Sequence, residues 1–204
     1  MLDPRSGTGR ALARGFDALA VVAGWALFAL SVLVGFEVIA RKFLSFSIKG
    51  VDEIGGYVLA VTSAIGFICC LVNHGHIRVD VLFKYLGPRL RAILHLVAYL
   101  TLAAFAVLLA WRGIAVWLIS ISLDAVAPTP LATPLVIPQG FWILGLAIFA
   151  LLSVALTVDL AITLIRNGAA DVERRFHADR LDEELKAEQR DAVRRGADSG
   201  RPAP

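Results

Sequence analysis

Charge is missing from most of this chain. After Asp17, the run to Ala40 carries one charged residue, Glu37. Ile54–Asn73 carries none, Ala92–Trp111 has His95 but no Asp, Glu, Lys or Arg, and Leu135–Val158 carries none. Cysteine is nearly absent as well. Cys69 and Cys70 are the only two, and they are neighbours in an apolar run. Adjacent helical residues point in different directions, so a disulfide framework or a thiolate metal site is excluded, and both read as small packing residues. No glycine-rich phosphate loop is present, and no nucleophile and base stand at a useful spacing. The 204 residues leave no polar stretch long enough for a soluble domain.

Four long apolar stretches are present instead. A bilayer core about 30 Å thick needs about 20 apolar residues of helix, and each stretch supplies that. Lipid offers no hydrogen bonds, so the backbone must bond within each segment, as a helix does. The apolar share of 58% agrees. The sequence thus predicts an all-α integral membrane protein. Its transmembrane domain covers 1–165, with spans near 17–40, 54–73, 92–117 and 138–162, and a charged tail covers 166–204. The first run exceeds the 7–15 residues of a signal-peptide core, so it is expected to be retained as a helix.

An isoelectric point near 9.1 invites a nucleic-acid reading, but the basic residues lie beside the apolar runs and form no stripe with aromatics. Their distribution instead orients the chain. With both termini inside, sixteen Lys and Arg fall on the cytoplasmic side and four outside, as the positive-inside rule prefers. Arg41, Lys42 and Lys49, in the first connection, are the main counterweight.

The connections are patterned. In the first, Glu37 and Arg41 are four apart, as are Lys49 and Glu53; each pair can meet if helix continues through it. These charges read either as surface ion pairs or as a contact surface for another subunit. The second, from Asn73 to Pro88, sets Ile77, Val81 and Leu82 on one face with Arg78 and Lys84 in reach of headgroups. That predicts a short amphipathic helix lying in the interface, within which His76 and Asp80 can hydrogen-bond. The third apolar region runs on to Leu123, interrupted by Arg112. It either continues as one helix longer than the bilayer core or breaks near Arg112–Gly113, where Trp111 and Trp117 suit an interface. Pro128, Pro130, Pro134 and Pro138 then prevent continuous helix, which predicts an ordered or partly inserted connection. In the tail, Val172, Phe176, Leu181 and Leu185, with the pairs Asp182–Lys186 and Asp191–Arg195, predict a surface helix to about Arg195 and a disordered end.

Little chemistry is carried by these elements. Transport normally needs ionisable or broken helices at mid-membrane, and the second and fourth spans have no ionisable residue near their centres. His74, His76 and His95 could be imagined around a haem, but they suit polar turns and hydrogen bonding better. Gly55, Gly56, Ala60, Ser63, Ala64 and Gly66 permit close helix approach, within the chain or to another subunit. No cofactor, metal or catalytic residue is expected. The simplest reading is an accessory subunit, with a haem-binding redox anchor and a free-standing carrier as the alternatives.

The run from Gly35 to Arg91 resembles the small membrane subunit of TRAP transporters, the DctQ family. The matching elements occur in order: Arg41 after the first span, Asp52-Glu53 opening the second with Tyr57 a turn later, His76-Ile77-Arg78-Val79-Asp80 after it, then Gly87-Pro88-Arg89-Leu90-Arg91. The proline segment before the last span also fits, and the resemblance covers roughly residues 20 to 160. Val51 departs from the Trp that many members carry before the acidic pair. The resemblance implies a sodium-driven importer of organic acids in the bacterial inner membrane. A periplasmic DctP-like protein would deliver substrate, a large DctM-like permease subunit would carry it, and the small subunit would act as scaffold. Arg41, Asp52, Glu53, His76, Arg78 and Asp80 are carried over as structural or partner-contact candidates, none of them touching substrate.

Overall fold

The computed structural model describes residues 7–72 and 87–168. Four α-helices account for most of them: α1 (Gly7–Phe43), α2 (Val51–Val72), α3 (Pro88–Ser122) and α4 (Val136–Asn167). All four are long and apolar enough to cross a membrane. The amphipathic segment between α2 and α3, with His74, His76, Arg78, Asp80 and Lys84, lies outside the described residues, as does the tail beyond Gly168.

The described residues fall into two compact units, 7–72 with 99–157, and 87–98 with 158–168. In the larger unit, Ile68, Leu71, Ala106, Ala110, Leu146, Phe149 and Ala150 form the core. Among the described residues, half of the buried apolar ones are alanine, whereas Leu, Ile, Val and Phe crowd the exposed set on every helix. A water-soluble bundle would bury the large side chains. Here lipid tails solvate them, and small residues let the backbones approach. Gly145 shows this best: a Cβ there would stand 2.7 Å from the Ala64 Cβ. Buried hydroxyls satisfy themselves on carbonyls. Ser153 donates to Phe149 O at 2.8 Å, and Thr157 donates to Ser153 O at 2.7 Å and across to Tyr99 O at 3.0 Å, tying α4 to α3.

The long third apolar region is one helix. Arg112 lies outward, 6.0 Å from the Trp111 ring. A Cβ on Gly113 would meet Ile143, Leu146 and Trp142 at 3.5–3.7 Å, so the lone glycine is a packing residue rather than a break. α3 stops in a Schellman motif: Asp124 is left-handed (φ 43), Ala125 N–H donates to Ser120 O, and Asp124 N–H donates to Ile121 O. Trp117 Nε1 donates to Val136 O at 3.0 Å, fixing the start of α4 against α3. α4 begins slightly before the predicted span, because Pro138 falls in its first turn, where a missing N–H loses no bond.

In the smaller unit, Gly87 caps α3, accepting from Leu90 and Arg91 at 3.0 and 3.1 Å, with Pro88 in the first helical position. Gly168 (φ 82) ends α4 in the left-handed cap, its N–H on Leu164 O at 3.2 Å.

Candidate functional site

The polar residues of the larger unit gather at one end, where the α1–α2 and α3–α4 connections meet. Helix α1 ends at Phe43, and the chain turns back through a left-handed Ser45 (φ 49). Ala40 O accepts both Leu44 N–H (2.8 Å) and Phe46 N–H (3.4 Å). Glu37, buried on α1, accepts from the Ser47 hydroxyl at 3.0 Å. Arg41 Nε lies 3.8 Å from the same carboxylate, with its side chain 64% exposed. An exposed pair of that geometry contributes little, so Ser47 is the firmer partner.

Gly50 is the N-cap of α2: its carbonyl accepts Ile54 N–H at 3.0 Å. Asp52 and Glu53 thus occupy the first turn, where the helix dipole favours carboxylates. Helix does not run through Lys49, so the expected Lys49–Glu53 register is never formed. Glu53 turns instead to the α3–α4 connection.

That connection folds as a small hairpin. Val126 and Pro134 form an antiparallel bridge, Ala127 N–H donates to Thr133 O (3.0 Å) and Leu135 N–H donates to Ala125 O (2.9 Å). The tip turns at Pro130-Leu131, closed by Ala132 N–H on Thr129 O at 3.0 Å. Proline suits the second position of such a turn. The tip lies on the start of α2. Thr129 Oγ1 donates to one Glu53 oxygen, the Tyr57 hydroxyl donates to the other at 2.8 Å, and Thr133 lies beside the carboxylate. Glu53 is 6% exposed. A buried carboxylate is tolerated when its acceptors are engaged, and a hydroxyl meets each oxygen here.

Leu131 completes the lock sterically. A Cβ on Gly50 would meet Leu131 Cδ1 at 1.7 Å, and Gly50 has φ +90. Glycine is required twice over, for conformation and for room. Gly50→Ala is therefore expected to lower the melting temperature of the purified chain. Adding Leu131→Ala should restore part of the loss, because it removes the clash but leaves the φ strain. Full recovery in the double variant would show that φ contributes nothing.

Of the residues proposed from sequence, Arg41 and Asp52 are exposed at this end, and Glu53 forms the centre of the lock. His76, Arg78 and Asp80 lie outside the described residues. Sequence reasoning missed Thr129, Thr133 and Ser47, and it expected Leu131 to rest on lipid or a partner, whereas its side chain lies over Gly50. Thr129 lies 76 residues from Glu53, and no local pattern links them. Among the described residues no cluster of metal-ligating side chains occurs.

Four apolar helices with small residues inside, large ones outside, and two connections locked together at one end define a multi-pass membrane protein. A family model for the DctQ component of tripartite ATP-independent periplasmic transporters matches residues 30–163. The chain belongs to that family and is a small subunit of such a transporter. Comparisons with curated proteins and with solved structures give no significant match.

Proposed function

We propose that this chain is the scaffold of a sodium-coupled transporter that imports an organic acid across the bacterial inner membrane. A large DctM-like permease subunit carries substrate and ions, and a periplasmic DctP-like protein delivers the substrate. The observation that supports a scaffold role is the state of Glu53. It is the best-buried carboxylate at the polar end, and its oxygens are taken up by donors of its own chain. A carboxylate committed in this way holds two connections together and is not offered to an ion or a substrate. On this reading both termini are cytoplasmic, and the locked end faces the periplasm.

The small residues of α2 differ in surroundings. Gly55 packs on Leu30 and Ala64 packs under Gly145, while Gly56, Ser63 and Gly66 are exposed. Gly56 and Ser63, seven residues apart, share one side of the helix, where a permease helix can approach closely.

Reconstitution tests the assignment. Uptake of a labelled organic acid into proteoliposomes should need this chain, the large subunit, the binding protein and a sodium gradient together. Uptake by this chain alone would overturn the scaffold reading. Ser63→Leu should reduce co-purification of the large subunit while leaving the isolated chain's melting unchanged. Labelling of a cysteine at Lys49 by an impermeant reagent from the periplasmic side checks the orientation.

A further inference from the structure

A groove runs along the larger unit between α1 and the first turns of α4. Helix α2 packs on α1 at Gly55 and on α4 at Ala64, so it stands between them and forms the floor. Val22 and Ala26 line one wall, Val61 and Ile65 the floor, and Ile137 and Phe141 the other wall, around a volume of 410 Å³. Val22, Ile137 and Phe141 are exposed, so the groove opens outward along its length.

No polar group is offered to the interior. Tyr57 and Thr62 also line it, but the Tyr57 hydroxyl donates to Glu53 at 2.8 Å and the Thr62 hydroxyl to Val58 O at 2.6 Å. Thr133, at the upper end, lies beside the same carboxylate. A held water needs several polar partners, so the occupant that fits is apolar.

Width selects among apolar occupants. On α2 the groove extends from Tyr57 to Ile65, about 12 Å of helix. A volume of 410 Å³ over that length gives a section of about 34 Å², or about 6 Å on a side. A helix with its side chains is about 10–12 Å across and does not enter. A methylene chain, about 4–5 Å across at van der Waals contact, does.

Depth fits the same occupant. α2 has 22 residues, about 33 Å, which matches a hydrocarbon core of about 30 Å. Tyr57 lies about 9 Å below the start of α2 and Ile65 about 21 Å, so the groove is wholly within the hydrocarbon layer. With C–C bonds of about 1.5 Å, an extended sixteen-carbon chain is about 19 Å long and a ten-carbon chain about 11 Å. Entering from the leaflet at the locked end, the longer chain fills the groove nearly to Ile65. The shorter one stops just past Tyr57.

We propose that this groove holds one acyl chain of a membrane phospholipid. The chain touches three helices at once and gains dispersion contacts that a chain on a convex helix surface lacks. It fills the gap between α1 and α4 and so ties α1 to the rest of the bundle.

Native mass spectrometry of the full chain in mild detergent tests this. Phosphatidylcholines are the probes, because their zwitterionic headgroup removes selection by charge. The chain should retain one dipalmitoyl lipid, and about tenfold less of the didecanoyl lipid, because six fewer methylenes make contact. Ala26→Phe fills the groove from α1 and Val61→Phe fills it from α2, and each should lose the retained lipid. Val32→Phe, at an exposed position of α1 outside the groove, should keep it. Added dipalmitoyl lipid should raise the melting temperature of the unmodified chain and of Val32→Phe, and leave the two filled variants unmoved. Retention by either filled variant that keeps its helical circular dichroism overturns the proposal, as does equal retention of the two chain lengths or retention in no fixed number. So does loss of the lipid when the large subunit is bound, because the groove would then be a protein contact.

Discussion

Glu53→Ala is expected to release the α3–α4 hairpin from α2 and to give the largest loss of stability of any single polar substitution in this chain. The carboxylate accepts from Thr129 and Tyr57 at the junction of the two connections. Removing it leaves the part-buried hydroxyls of Thr129 and Tyr57 without their acceptor at once, and an unmade hydrogen bond away from bulk water costs more than a made one contributes. Water cannot readily replace the lost acceptor, because the tip is pressed down by Leu131 over Gly50. The melting temperature of the purified chain should fall by several degrees, and amide exchange should accelerate at Ala127, Ala132 and Leu135, whose N–H groups close the hairpin. Glu53→Gln is the informative partner. It keeps one acceptor oxygen but places an NH₂ against a hydroxyl donor, so its loss should be intermediate. Asp52→Ala, one residue away and exposed, should do little. If Asp52→Ala and Glu53→Ala destabilise equally, the effect belongs to the helix dipole and not to the lock.

The contrast between Asp52 and Glu53 also shows how far the sequence can be read. The chain announces its helices through the absence of charge, because lipid forbids charge over 20-residue runs whatever the packing. It announces the acidic pair through its place at a helix start. It does not announce which acid turns inward. That depends on a hairpin folded from residues 125–135, and the prolines there predict only that helix is interrupted. The end of α1 gives the same lesson from the other direction. Glu37 and Arg41 are at helical spacing and do approach, as the spacing suggests, yet Ser47, beyond the helix end, supplies the closer bond. The Lys49–Glu53 spacing looked equivalent and came to nothing, because the backbone at Gly50 leaves helical geometry before reaching it. The continuity of α3 could not be decided from Arg112–Gly113 alone. It rests on Gly113 meeting α4, a contact between segments about thirty residues apart. The small residues of α2 could likewise be recognised as packing residues, but which of them are covered within the chain needed the positions of Leu30 and Gly145.

Gly145→Leu is expected to prevent α2 and α4 from packing and to abolish the folded bundle. Even a methyl is too large there. A Cβ at Gly145 would lie 2.7 Å from the Ala64 Cβ, and the Ala64 backbone is at 3.8 Å. Neither partner is a flexible side-chain end that could swing aside, so the two helices must separate. Leu71, Leu146 and Phe149, which are almost fully buried nearby in the same core, would then lose contact. Overpacking by a methylene or two costs about 1–3 kcal/mol in a well-packed core, and Gly145→Ala falls in that range after subtracting the gain from replacing a helical glycine, which is about 1 kcal/mol. Ala64→Gly removes the obstructing Cβ and leaves ordinary van der Waals distances to the backbone. The double variant Ala64→Gly, Gly145→Ala should therefore recover most of the stability lost by Gly145→Ala alone, giving a coupling of opposite sign to the single effects. Thermal unfolding of the four proteins in the same detergent measures it. Additive losses would mean that the helices meet elsewhere. Strong recovery would locate the closest approach of the bundle at a single pair of small residues, with no polar group taking part. In lipid this follows from the solvent: large apolar side chains gain little by leaving a medium as apolar as themselves, so association depends on how closely two backbones can come.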